Sequence, residues 1–108
     1  MSSLESIVYG AVLQDLHFHK GTTGTGVGIF MELHNFEGLA TSVQIWVPFE
    51  YNHEDNKLEA FITALTNAFV FEEPVTIEAN STESLVVTLH GKKDTEFILP
   101  GSKWHEIA

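Results

Sequence analysis

The chain reads as a small α+β fold that is mostly β. The expected form is an antiparallel barrel or curved sheet with one packed amphipathic helix, in the order β-β-β-α-β-β-β. Three observations predict this. Apolar residues alternate with polar ones in six stretches, the period of half-buried strands. Only Asn56 to Phe69 repeats its apolar residues at helical spacing. And 108 residues make one domain, residues 1–108, able to bury a core without disulfides, of which a chain with no cysteine has none.

The first strand is expected from about Ser6 to His19, with a helix as the competing reading. Ile7, Tyr9, Ala11 and Leu13 would share one face. Beyond them the apolar positions are Leu16 and Phe18, so the parity changes, and a bulge or sharp bend between Leu13 and Leu16 would account for it. The second strand covers about Val27 to His34 and the third about Ala40 to Val47. Between them Phe36-Glu37-Gly38 forms a three-residue loop, with glycine where such a hairpin needs a left-handed residue. That register sets Leu33 opposite Thr41, Met31 opposite Val43, Ile29 opposite Ile45 and Val27 opposite Val47. Apolar faces then meet apolar faces, an independent check on the turn.

The helix is expected over about Asn56 to Phe69, with Leu58, Phe61, Ile62, Leu65 and Phe69 on its buried face. Asn56 and Glu59 fit a cap-plus-N3 pattern, Asp55 is the alternative cap, and Pro74 marks the latest end. Strands follow at about Val75 to Ala79, Leu85 to His90 and Thr95 to Leu99, with a turn at Lys92 to Asp94. The tail "PGSKWHEIA" reads as irregular, with Trp104 available as an anchor. A long bent first strand and a helix between strands three and four resemble the order of OB-type barrels, with one strand more. Only element order carries this resemblance. A twisted sheet or small sandwich with one packed helix satisfies the same order.

Charge is the strongest global signal. Fifteen Asp and Glu face five lysines and no arginine, a formal net charge of −10. Phosphate backbones are bound by clustered Lys and Arg, so a nucleic-acid partner is not expected. An acidic surface favours a basic protein partner and fast, salt-sensitive association, and equally keeps a small protein soluble. Residues Met1 to Glu5 carry no positive charge and Ser6 to Leu16 is too polar for a signal core, so no signal peptide and no membrane are expected, and the compartment reads as cytoplasmic.

The segment "HFHKGTTGTGVG", residues 17–28, raises two chemical possibilities. On a strand, His17 and His19 share a face about 7 Å apart, usable for a metal, and Asp15 joins them if the strand is regular. A third ligand is not evident, so they read as two solvent-facing histidines at a strand end, and no cofactor is expected. A phosphate cradle needs a following helix and a lysine after the glycines; here a strand follows and Lys20 precedes them. The glycines therefore read as a mobile loop joining two strands. Cysteine nucleophiles and G-x-S-x-G are absent.

Two surfaces remain. The hairpin register pairs Gly28 with Trp46, Phe30 with Gln44, Glu32 with Ser42 and His34 with Ala40, which makes Trp46 and Phe30 an aromatic shelf opposite the core. Glu54, Asp55 and Glu59 suit the helix N-terminus, but Glu72 and Glu73 follow its C-terminus, where negative charge is mildly unfavourable. The leading expectation is a non-enzymatic protein-binding module, an inhibitor or bacterial toxin-immunity protein. It would cap a basic partner through Glu72, Glu73, Glu54, Asp55, Trp46 and Phe30. The alternatives are an OB-like barrel that self-assembles through strand edges, a possible homo-oligomer binding a saccharide or small ligand on Trp46, and a metalloenzyme centred on His17 and His19.

Overall fold

A computed structural model describes residues 5–20, 24–35, 37–53, 56–80, 84–91 and 93–107. Strands β1 (Glu5–Lys20), β2 (Gly26–His34) and β3 (Ala40–Pro48) precede a short 3-10 helix, Phe49–His53, and helix α1 (Lys57–Val70). Strands β4 (Pro74–Asn80), β5 (Ser84–His90), β6 (Asp94–Pro100) and β7 (Lys103–Ile107) follow. All seven strands join one antiparallel sheet in the order β6-β5-β4-β1-β2-β3-β7. The fold is thus α+β and mostly β, with an open sheet rather than a closed barrel, and β6 and β7 are its two edges.

Central strand β1 pairs with β2 on one side and β4 on the other. Its register against β2 shifts between Leu13 and Asp15, where the change of parity predicts a bulge. The Leu16 N–H freed there donates to the Asp15 carboxylate at 3.0 Å. Against β4 the register shifts again between Ser6 and Val8 and between Val8 and Ala11. Gly10 lies in the last of these breaks with φ +59°. This irregularity corrects the expected face: Val8 is buried, whereas Tyr9 is 75% exposed. A left-handed glycine inserts a step that the hydrophobic pattern does not display. The Ile7 side chain, expected on the same face, lies outside the described residues.

The β2–β3 pairing has the expected register at every position from Val27↔Val47 to His34↔Ala40. Gly38 holds φ +80°, and Asn35 N–H donates to Leu39 O at 3.1 Å across the hairpin end. Phe36 of the expected loop lies outside the described residues.

Helix α1 covers one face of the sheet. Leu58, Phe61, Leu65 and Ala68 are buried against Ile29, Ile45, Ile77, Val87 and Leu99. The Phe61 and Phe97 rings meet at 5.2 Å between centroids, tilted 59°. Complete burial of such side chains stabilises by roughly 1.5–3 kcal/mol each. The expected Asn56 cap is not made: Asn56 is left-handed at φ 53°, and its side chain makes no cap hydrogen bond. Asp55, the alternative cap, lies outside the described residues.

The tail is also corrected. Gly101 turns at φ +76° after Pro100, and Lys103–Ile107 pairs with β3 from Trp46↔Lys103 to Ser42↔Ile107. Trp104, opposite Ile45, is half-buried against the core. Five residues of which only Trp104 is half-buried give a weak strand signal by themselves, and β3 supplies the backbone partners.

Phe61→Ala removes the largest fully buried side chain among the described residues. It should cost about 3–5 kcal/mol in urea unfolding, as a lower midpoint with an unchanged slope.

Candidate functional site

The four described residues of the expected interface, Phe30, Trp46, Glu72 and Glu73, do not share one surface. Phe30 and Trp46 alternate with the core residues Ile29 and Ile45, so they lie on the sheet face turned away from α1. Glu72 and Glu73 follow α1 and lie on the helix side. Glu54 and Asp55 are outside the described residues.

On the open face, register aligns His17, Phe30, Gln44 and His105 in one row across β1, β2, β3 and β7. The next row is His19, Gly28, Trp46 and Lys103. The glycines explain how the rings lie. A Cβ on Gly26 would come within 2.6 Å of the Trp46 indole and of the Val47 carbonyl oxygen. A Cβ on Gly28 would overlap the His19 imidazole. Trp46 therefore lies over Gly26, diagonally from its register partner Gly28, and His19 takes the space above Gly28. Gln44 Nε2 lies 3.1 Å from His19 Nε2, within hydrogen-bond distance. The His17 and Phe30 rings are 6.0 Å apart. The result is a paved floor of rings edged with hydrogen-bonding side chains. It corrects the expected loop at Gly26, which is a strand residue, while Gly28 lies in β2 where the expected register puts it; Gly24 turns at φ +67°, and Gly21 is outside the described residues.

His17 and His19 do share a face, but each is engaged separately. His17 Nε2 lies 3.0 Å from the Asp15 carboxylate, and His19 turns across β2 to Gln44. Among the described residues no group of three His, Cys, Asp or Glu side chains is placed to hold a metal.

The acidic end of α1 is built differently. Glu73 N–H donates to Ala68 O at 2.9 Å and Glu72 N–H to Phe69 O at 3.4 Å, the paired bonds of a Schellman ending. That motif favours glycine at the left-handed position and an apolar residue after it. Here the left-handed residue is Glu72, at φ 54°, and Glu73 follows. The last turn of α1 carries no basic residue to offset them. Glu72 is exposed. Glu73 is half-buried in a groove of about 640 Å³ between the helix end and β5–β6, lined by Ala64, Asn67, Phe71, Leu89 and Gly91. Its Oε2 lies 2.6 Å from where a Gly91 Cβ would be, so only glycine there leaves the carboxylate its seat.

One polar chain escapes sequence reading because its members are 66 and 14 residues apart. Gly10 N–H donates to Thr76 Oγ1 at 3.0 Å, and the Thr76 hydroxyl donates to His90 Nε2 at 2.7 Å. His90 Nδ1 donates to Asp94 at 3.3 Å. The order hydroxyl, imidazole, carboxylate is that of a nucleophile with its base. Thr76 is only 2% exposed, however, and its oxygen satisfies the bulged Gly10 N–H. The chain braces β1 against β4, β5 and β6.

No family model, curated protein or solved structure matches this chain.

Gly26→Ala must displace the Val47 backbone and should destabilise by about 1–3 kcal/mol. Gly28→Ala meets the exposed His19 imidazole first, so unfolding should change little while the His19 imidazole NMR signals lose their Gln44 contact. Glu72→Gly relieves a left-handed L-residue and should raise stability by about 1 kcal/mol in urea unfolding.

Proposed function

We propose that this protein is a non-enzymatic acidic binding module of the inhibitor or toxin-immunity type, which caps a basic protein partner with the end of α1. The observation that supports this most is the helix ending itself. Its two positions favour glycine and an apolar residue for local stability, and the chain carries glutamates at both. A local stability rule broken at two successive positions is characteristic of a functional site. A field of −10 charges draws a basic protein in before contact, and Glu72 and Glu73 then provide the local attraction. Such a role suits a cytoplasmic bacterial protein, and a cysteine-free chain fits a reducing compartment.

The test uses the protein that this chain captures from a lysate, whatever its charge, and stopped-flow kinetics. Association should slow markedly from low to physiological salt, as the screening length falls to about 8 Å, while dissociation changes much less. Replacing Glu72 and Glu73 by Lys should slow association further, most at low salt. A salt-insensitive on-rate, or a captured partner as acidic as this chain, counts against the proposal.

The paved face favours a second reading, a saccharide or small-ligand site. Flat rings with amide and imidazole groups beside them suit a ligand with one apolar and one hydroxylated side. On this reading Trp46→Ala should weaken binding at least tenfold in calorimetric titration with oligosaccharides and nearly retain the unfolding midpoint. Lost stability with intact binding would make Trp46 a packing residue.

A further inference from the structure

We infer that the groove at the end of α1 is a socket for an arginine side chain of the partner, an assignment that rests on reading this end as the docking surface. The groove offers each part of that side chain a counterpart. Ala64 and Leu89 provide apolar wall for the methylene stem. Phe71, at the helix cap and 70% exposed, presents a ring on which a planar cation can stack. The Glu73 carboxylate, seated on Gly91, supplies the opposite charge and two acceptor oxygens for a guanidinium fork. The C-terminal end of α1 adds negative partial charge, and the Asn67 side chain adds an amide on the same wall.

Among the described residues, internal competition for this site is weak. The chain contains no arginine, so no guanidinium of its own can fill the socket. Lys93 stands at the rim, exposed, and among the described residues it forms no ion pair with Glu73. The guanidinium fits better than an ammonium because it is planar, more weakly hydrated and able to engage ring and carboxylate together. A groove of about 640 Å³ is also roomier than one side chain needs, so the flanking backbone of a peptide segment can enter with it.

The experiment is an NMR titration of the isotope-labelled protein with acetyl-glycyl-arginyl-glycinamide. Its counterpart contains citrulline, which keeps the shape and removes the charge. The arginine peptide should shift the amides of Phe71, Glu73 and Gly91 saturably. The citrulline peptide should bind at least tenfold more weakly, and Glu73→Gln should weaken the arginine peptide by a similar factor. Gly91→Ala, which unseats the carboxylate, should do the same without unfolding the sheet. Equal binding of the two peptides, or saturable shifts located elsewhere, would overturn the socket. The two readings fail separately. A basic partner whose association depends on salt, but whose dissociation is unaffected by Glu73→Gln and Phe71→Ala, refutes the socket and leaves the docking reading intact. A salt-insensitive or acidic partner refutes the docking reading, and with it the socket's assignment to that partner.

Discussion

The structure depends on β1 pairing along both of its edges while the sheet wraps a single helix. A regular strand of sixteen residues would have to keep one parity throughout. β1 instead breaks register near Gly10, which brings Val8 to the core with Ala11 and Leu13, and again at Gln14, beyond which Leu16 packs against the core. At these two breaks a backbone N–H is met by a side chain. Asp15 accepts from Leu16, and the buried Thr76 hydroxyl accepts from Gly10. The polar chain through His90 to Asp94 is therefore a structural requirement of the bulge, and it ties β4, β5 and β6 to the central strand.

With β1 in place, the rest follows from which face α1 covers. The helix side takes nearly all the aliphatic residues. The opposite face is free to carry a different chemistry, and it carries rings, imidazoles and an amide. Gly26 and Gly28 matter there for their missing side chains: they allow Trp46 and His19 to lie down on the strand instead of standing away from it. Gly91 has the same role on the helix side, where the group laid against it is the Glu73 carboxylate. Both candidate surfaces are thus prepared by glycines within or beside strands, where glycine ordinarily weakens a sheet.

The end of α1 shows local and functional preferences in opposition. A left-handed residue with a side chain costs about 1 kcal/mol relative to glycine, and a carboxylate at that end opposes the helix dipole. The core of α1 tolerates this because Phe61 and Leu65, fully buried, hold the helix independently of its ending.

The sequence by itself determined whatever depends on periodicity and on turns between neighbouring elements. Leu58, Phe61 and Leu65 marked the helix, Gly38 and matched apolar faces set the β2–β3 register, and the parity change after Leu13 located one bulge. Only the tertiary structure decided the second bulge at Gly10, because a left-handed turn of the backbone leaves no mark on hydrophobic spacing. It also decided that Lys103–Ile107 is a strand, since an edge strand takes its hydrogen bonds from a partner distant in the chain, here β3. And it decided that Trp46 and Phe30 stand on the opposite side from Glu72 and Glu73. Alternation along a strand says that two faces exist, but which of them the helix covers is settled only when the chain crosses the sheet to reach β4.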